Sequence, residues 1–427
     1  MSRCRVSRIY RLSLPLMLCV VLPVVTISGC SKAGSARMPV IKPPVVKMPS
    51  PNAYDYFVAV GKDLKDAGKM KSAVLPGNQS KTYSDSDIAA FVRKNQPALD
   101  KLREGLKYDY LQPFKYGIDA RYPEYLNYMN LSYLLILESR VKRANGDWAG
   151  AVDSCQDGLL LSELIAHGDN NTVSRLVGVK CQKITCRHIW DAIPHLTGAQ
   201  AKVAIARMQK IQNRHFPLHE SLKCEKEAQL LFLQDCFNGK CKDSDIKEWA
   251  KVSEPVKIKV FDKYTGYMDQ CIKNVQMPYA TKPVFPEVEE PKGPLAMANG
   301  DKFAALMLLM IYPDERIFYF YDTDNQTRNN ILATAFALQV YHADHGNYPA
   351  KLSELCPAYL KSVPDDMFAL KAPLNYRRDG DKYTLWSVGP DCVNNNGTPV
   401  LDPKEQNASR HFIHRDSKGD IVAGINY

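Results

Sequence analysis

The sequence predicts a multidomain chain. A mostly α-helical N-terminal domain over 54–280 is joined to a small α+β C-terminal domain over 295–427 with an antiparallel sheet. Three observations carry that prediction. Between Asn52 and Met277, apolar residues recur at helical spacing and short polar breaks separate the runs. Beyond Asn329 a further helical pattern gives way to two alternating runs, Leu374–Arg378 and Lys382–Val388, joined by Asp379-Gly380-Asp381. Asp-Gly between alternating runs marks a hairpin, because both central turn positions want positive φ. Between the two regions, Lys282–Pro294 holds four prolines and three glutamates, so 281–294 reads as a linker.

The chain has 427 residues, enough for two or three separate cores. Its first thirty residues carry an address. Arg3, Arg5, Arg8 and Arg11 lead into an apolar run from Leu12 to Ile27, the charged and apolar parts of a secretory signal over 1–29. That run is short for a membrane-spanning helix, which needs about 20 apolar residues. It ends Ile27-Ser28-Gly29-Cys30, which resembles the bacterial lipobox. The resemblance implies that the Cys30 thiol accepts diacylglycerol and anchors the chain in a membrane. Ser31, in place of aspartate, implies the outer membrane, with the body facing the periplasm or the exterior. Pro39, Pro43, Pro44, Pro49 and Pro51 then make 30–53 a semi-extended tether, able to reach roughly 70 Å. The formal charge is +10, and four of those charges leave with the leader. No basic stripe interleaved with aromatics is present, so nucleic acid is not the expected partner.

In the helical region, Leu126–Arg143 is broken by Gly146-Asp147 and continues at Trp148–Leu164, with Ala151, Val152, Cys155, Leu159 and Leu160 apolar. The arrangement resembles one helical hairpin of the tetratricopeptide type. No second copy follows at the 34-residue period, so a helical bundle with one such hairpin is expected, or plain antiparallel helices. Thr197-Gly198-Ala199-Gln200 has the form of a capping box and starts a helix toward His215. Trp190, Trp249 and Phe261 read as core anchors. The apolar run Ala304–Met310 is too short to cross a membrane and is expected to pack on the C-terminal domain.

In the C-terminal domain, Ile331, Ala335 and Leu338, with Leu332, Phe336 and Val340 beside them, make one wide apolar helix face. Gly346 stops the helix, and a short helix at Leu352–Leu355 ends at Pro357. This string is similar to the C-terminal domain of the major pseudopilin of type II secretion, the protein G family. The likeness rests on Tyr341…Asp344-x-Gly346-x-Tyr348-Pro349, Leu352…Leu355, Tyr359-Leu360 and Val363-Pro364-Asp365…Phe368. It continues through Tyr383…Leu385, Ser387-Val388-Gly389-Pro390-Asp391 and the closing Gly419-Asp420-Ile421-Val422. The resemblance implies a helix laid on an antiparallel sheet, contact with envelope or secretion proteins, and calcium in the loop after the hairpin. The leader and filament-core helix of a pseudopilin do not precede Asn329, so the domain is expected on a different carrier.

The candidate calcium ligands are Asp391, Asn394 and Asn396, with Asp420 closing the shell from the last strand. Calcium is a hard cation that takes six to eight oxygens. The alternative is an asparagine-rich turn held by its own side-chain hydrogen bonds, with a Cys356–Cys392 bridge replacing the ion. Cys236 and Cys241, flanking Phe237-Asn238-Gly239-Lys240, form the other candidate disulfide. His342 and His345 lack a third and fourth metal ligand and read as favourable partners of a helix C-terminus. His411 and His414 read as part of an exposed strand. No nucleophile elbow, phosphate loop or His-Glu-x-x-His occurs, and no residue pattern marks a catalytic group. The expectation is a lipid-anchored cell-envelope protein with a non-enzymatic interaction or structural role. Its alternative is a periplasmic hydrolase or ligand-binding protein with a pocket between the two domains.

Overall fold

Side-chain caps set the start of several helices. Asn52 accepts a hydrogen bond from the Tyr54 N–H (3.1 Å) and starts α1, Ala53–Asp63. The same side chain exchanges bonds with Leu111 N and O (3.0 and 2.7 Å), pinning that start to a distant segment. A computed structural model describes residues 38–74, 83–117, 120–167, 172–186, 189–241, 246–287, 315–402 and 411–426. The leader, Cys30 and the Ala304–Met310 run lie outside them. The described residues are mostly helical, with eleven α-helices and one small antiparallel sheet. After α1 come α2 (Ala67–Val74), α3 (Asp85–Lys94), α4 (Gln96–Gly105) and α5 (Glu124–Ala144). Next are α6 (Trp148–His167), α7 (Thr172–Cys186), α8 (Gly198–Gln212), α9 (Leu218–Phe237), α10 (Glu254–Asn274) and α11 (Glu315–His345). No described helix is long and apolar enough to cross a membrane.

The Thr197 capping box closes in both directions, Thr197 N to Gln200 Oε1 (2.9 Å) and Gln200 N to Thr197 Oγ1 (3.3 Å). Gly146 takes the left-handed turn (φ 75°) between α5 and α6. Gly178 serves close approach instead: a Cβ there would lie 2.6 Å from the Ser162 carbonyl oxygen, so only glycine lets α7 seat on α6.

The chain divides into two compact units. The smaller includes 38–42 and 232–267. In it Phe237 packs on Phe261, Cys236 is disulfide-bonded to Cys241, and Phe232 meets Trp249 edge-on. Gln234 clasps the backbone of Ile41 from both sides (2.6 and 2.9 Å). The expected free tether over 30–53 is therefore fastened at Ile41, because a side-chain amide satisfies the donor and acceptor an extended segment leaves open.

The larger unit comprises 43–231, 268–286 and 314–427 and holds two hydrophobic clusters. One gathers Phe57, Leu99, Leu102, Tyr128, Leu131 and Leu161 from α1, α4, α5 and α6. The other joins Cys155 and Leu159 of α6, Met208 of α8, Ile331–Val340 of α11, and Phe368, Leu385 and Ile421. Residues expected in two separate domains, 54–280 and 295–427, thus contribute to one core. Every residue from Ile331 to Val340 is buried, including Ala333 and Ala337 on the face opposite the predicted stripe. A helix buried all round is a core helix, and α11 has that character because it packs against α8 and against β2.

The sheet order is β1 (Asn375–Asp379), β2 (Lys382–Ser387), β3 (Ile421–Val422), all antiparallel. The register Asp379↔Lys382 places Gly380 (φ 64°) in the turn. His411–His414 forms no strand; Asn426 Nδ2 fastens its start by donating to the His411 carbonyl (3.2 Å).

Candidate functional site

The loop proposed for calcium is filled by its own hydrogen bonds. Asp391 accepts from Val393 N (3.0 Å) and Gly419 N (3.1 Å). Asp420 accepts from Asn395 N (3.0 Å) and Gly397 N (2.7 Å). Asn394 Oδ1 accepts from Trp386 Nε1 (3.0 Å) and Asn396 N (2.9 Å), while Asn396 itself takes positive φ (56°). Burial pushes the Asp420 carboxyl up, and the N–H groups of Asn395 and Gly397 only partly offset that. Four carboxylate oxygens thus face N–H donors, whereas a calcium shell needs oxygens turned inward on a cation. Among the described residues, no group of three or more His, Cys, Asp or Glu is placed to hold a metal. Asp391, Asn394, Asn396 and Asp420 build the self-bonded turn that the sequence offers as the alternative to calcium. Cys356 and Cys392 are free thiols, so the second candidate bridge is corrected. The Cys392 thiol turns instead toward the Pro390 carbonyl (3.7 Å), with its backbone at positive φ (62°). His342 packs at a tilt against Tyr348 (4.5 Å) and His345 against Tyr341 (4.2 Å).

The converging charges lie elsewhere, where α4, α5, α6 and α8 meet in the larger unit. Glu138 and Asp157 are buried, and both face Arg103: Nε reaches Asp157 at 2.8 Å and Nη2 bonds Glu138. Arg207 bonds Asp157 from the other side and reaches Asp153 at 3.2 Å. Lys142 donates to Ser154 Oγ (2.9 Å), and Ser154 donates to Glu138 (2.6 Å). Burial alone would raise the Glu138 carboxyl, but Arg103, Ser154 and Lys142 outweigh it and hold the carboxyl low. Ser154 is fully buried, so its hydroxyl serves this lattice. Above the lattice opens a cleft of about 430 Å³, lined by Arg103, Lys107, Lys142 and Arg207, by Asp153 and Asp157, and by Leu106 and Leu160. Sequence reasoning missed it because Arg103 and Arg207 meet Asp157 from 54 and 50 residues away. The only local signal is the Glu138/Lys142 spacing of one helical turn.

A second polar cluster holds α11 in place. Arg175 of α7 binds Asp322 (2.5 Å); Asp324 binds Arg328 Nε (2.9 Å) and Lys183 (3.3 Å). Gln182 reaches Asn329 (3.1 Å), which donates to Glu163 of α6 (3.2 Å). His215, just past α8, sits between Glu163 (3.6 Å) and Asp322 (3.7 Å). Burial would lower its pKa, yet Asp322 and Glu163 together outweigh burial and the nearby Arg175, so the pKa is raised. A raised histidine stabilises fully below its unfolded pKa, near 6.5, and that share is lost as pH rises through the folded value. His167, lowered by burial and by Arg175 and Arg214, acts in the opposite sense. The melting-temperature gap between wild type and His215→Gln is therefore expected to shrink as pH climbs above about 6.5. A gap that widens with pH would refute the assignment.

Compared with known protein families, curated proteins and solved structures, the chain matches none.

Proposed function

We propose that the chain is a cell-envelope protein, anchored in the outer membrane through acylated Cys30, that works by binding another envelope protein rather than by catalysis. The leader and lipobox pattern supports the address. The observation that carries the binding role is the cleft over the Glu138–Asp157 lattice. Arg103, Arg207 and Lys142 are held in place by Glu138 and Asp157 behind them, so their geometry is set before any ligand arrives, and preorganisation lowers the cost of binding.

The pseudopilin-like string at the C-terminus fits the same reading. Its helix α11 is enclosed on all sides from Ile331 to Val340, so its apolar face serves the body of this protein. The module offers its outer surface to a partner, with secretion proteins as the first class to test.

Two measurements check the reading. Intact-mass analysis should find diacylglycerol on Cys30, and Cys30→Ser should move the protein out of the membrane fraction. A photo-crosslinking residue at Lys107, on the cleft rim, should give an adduct with one envelope protein, while the same group at Asp381 on the hairpin tip should not. Equal labelling from both positions would refute the cleft as the docking place.

A further inference from the structure

The cleft does not stand alone along α8. A smaller depression of about 110 Å³ lies beside it, lined by Ala149, Val152, Leu196, Val203 and Ala204, and Asp153 borders both. On α8, Gln200, Val203, Ala204 and Arg207 follow the one-face pattern of a helix, and the two hollows adjoin at Asp153, so we read them together as a groove along the α6–α8 seam. One end is cationic and the other apolar.

At the cationic end the lattice acids are already committed. Asp157 is bonded to Arg103 through one oxygen and to Arg207 through the other. Arg103 Nη1 and Arg207 Nε bond no described residue, and both side chains are over a quarter exposed (30% and 27%). Those donors, with Lys107 and Lys142 on the same wall, suit an incoming carboxylate, for which arginine offers a fork of matched N–H groups. At the apolar end Val203 is 64% exposed, a branched side chain with open space before it.

The spacing selects the occupant. From Val203 to Arg207 is four helical residues, about 6 Å along the axis. In an extended peptide, side chains two positions apart point the same way and stand about 6.7 Å apart. We infer that the groove takes an extended peptide segment of a partner protein, carrying an acidic residue at the Arg103–Arg207 end and an apolar residue two positions away at Val203. This rests on the binding role proposed above and names the chemistry of the partner.

The test uses the full acylated chain in detergent and acetyl-Glu-Ala-Leu-amide as probe, read by calorimetry or by chemical-shift changes. The glutamine analogue should bind about tenfold more weakly, as expected for losing charge-assisted hydrogen bonds. Arg207→Gln should cost about as much. Val203→Ser, at an exposed position, should weaken binding about threefold or more without moving the melting temperature. The proposal is overturned if glutamate and glutamine peptides bind alike, if neither binds, or if inorganic phosphate binds as tightly as the peptide. A chain that still forms the Lys107 adduct yet ignores the peptides would refute this inference and leave the binding role standing. Selective peptide binding with no adduct would keep the groove's chemistry and refute an envelope protein as its partner.

Discussion

Phe336→Ala is expected to destabilise the protein by about 3–5 kcal/mol and to loosen two sequence-distant regions at once. Phe336 is fully buried at the middle of α11, in the cluster that also contains Met208 of α8, Cys155 of α6 and Leu385 of β2. Removing its ring leaves a cavity that helices on one side and a sheet on the other must share. Those neighbours are held by their own contacts, so the site collapses only in part and most of the loss remains. Hydrogen-exchange mass spectrometry will separate this from a local effect. Amides of α6 and α8 should lose protection together with those of β2. If α8 keeps its protection while residues 331–340 lose theirs, the shared core is wrong.

Asp324→Ala is the second large effect, about 3–5 kcal/mol, because it strands two buried or half-buried cations. Asp324 is fully buried and is the carboxylate bonded to Arg328 and Lys183. Burial pushes its carboxyl up, but Arg328 and Lys183 more than offset that and hold it below the ordinary aspartate value of 3.8. A carboxyl with a depressed folded pKa contributes stability above its unfolded pKa and loses it as pH falls through the folded one. Wild type should therefore lose stability on acidification below about pH 4 more steeply than Asp324→Ala. Replacing the charged set with apolar side chains of similar size, Asp324→Leu with Arg328→Met and Lys183→Met, should recover most of the loss, since the damage lies in unpaired charge. A single variant costing less than about 1 kcal/mol would show that the two cations find water or another partner.

Local signals in the sequence were read correctly where the physics is local. The Thr197 box depends on four consecutive residues, and the Asp379–Lys382 turn depends on a glycine between two short runs. The Cys236–Cys241 bond spans one turn. The loop after the hairpin is less legible for a related reason. The sequence shows which oxygens a loop carries, while the backbone path decides whether those oxygens meet an ion or the N–H groups of Val393, Asn395, Gly397 and Gly419. The first half of α11 was missed because Asp322, Thr323, Asp324, Asn325 and Arg328 look like a surface break. All are buried there, several of them against α7.

By itself the sequence determined the helical character of the chain, the hairpin and the Thr197 cap. Each of these is set by residues within a few positions of one another. Tertiary structure alone decided that α11 is enclosed by helices from one half of the chain and a sheet from the other. It also decided that Arg103 and Arg207 meet over Asp157. Pairings between residues fifty or more positions apart are chosen by which faces the packed core leaves next to each other, and no short stretch carries that information.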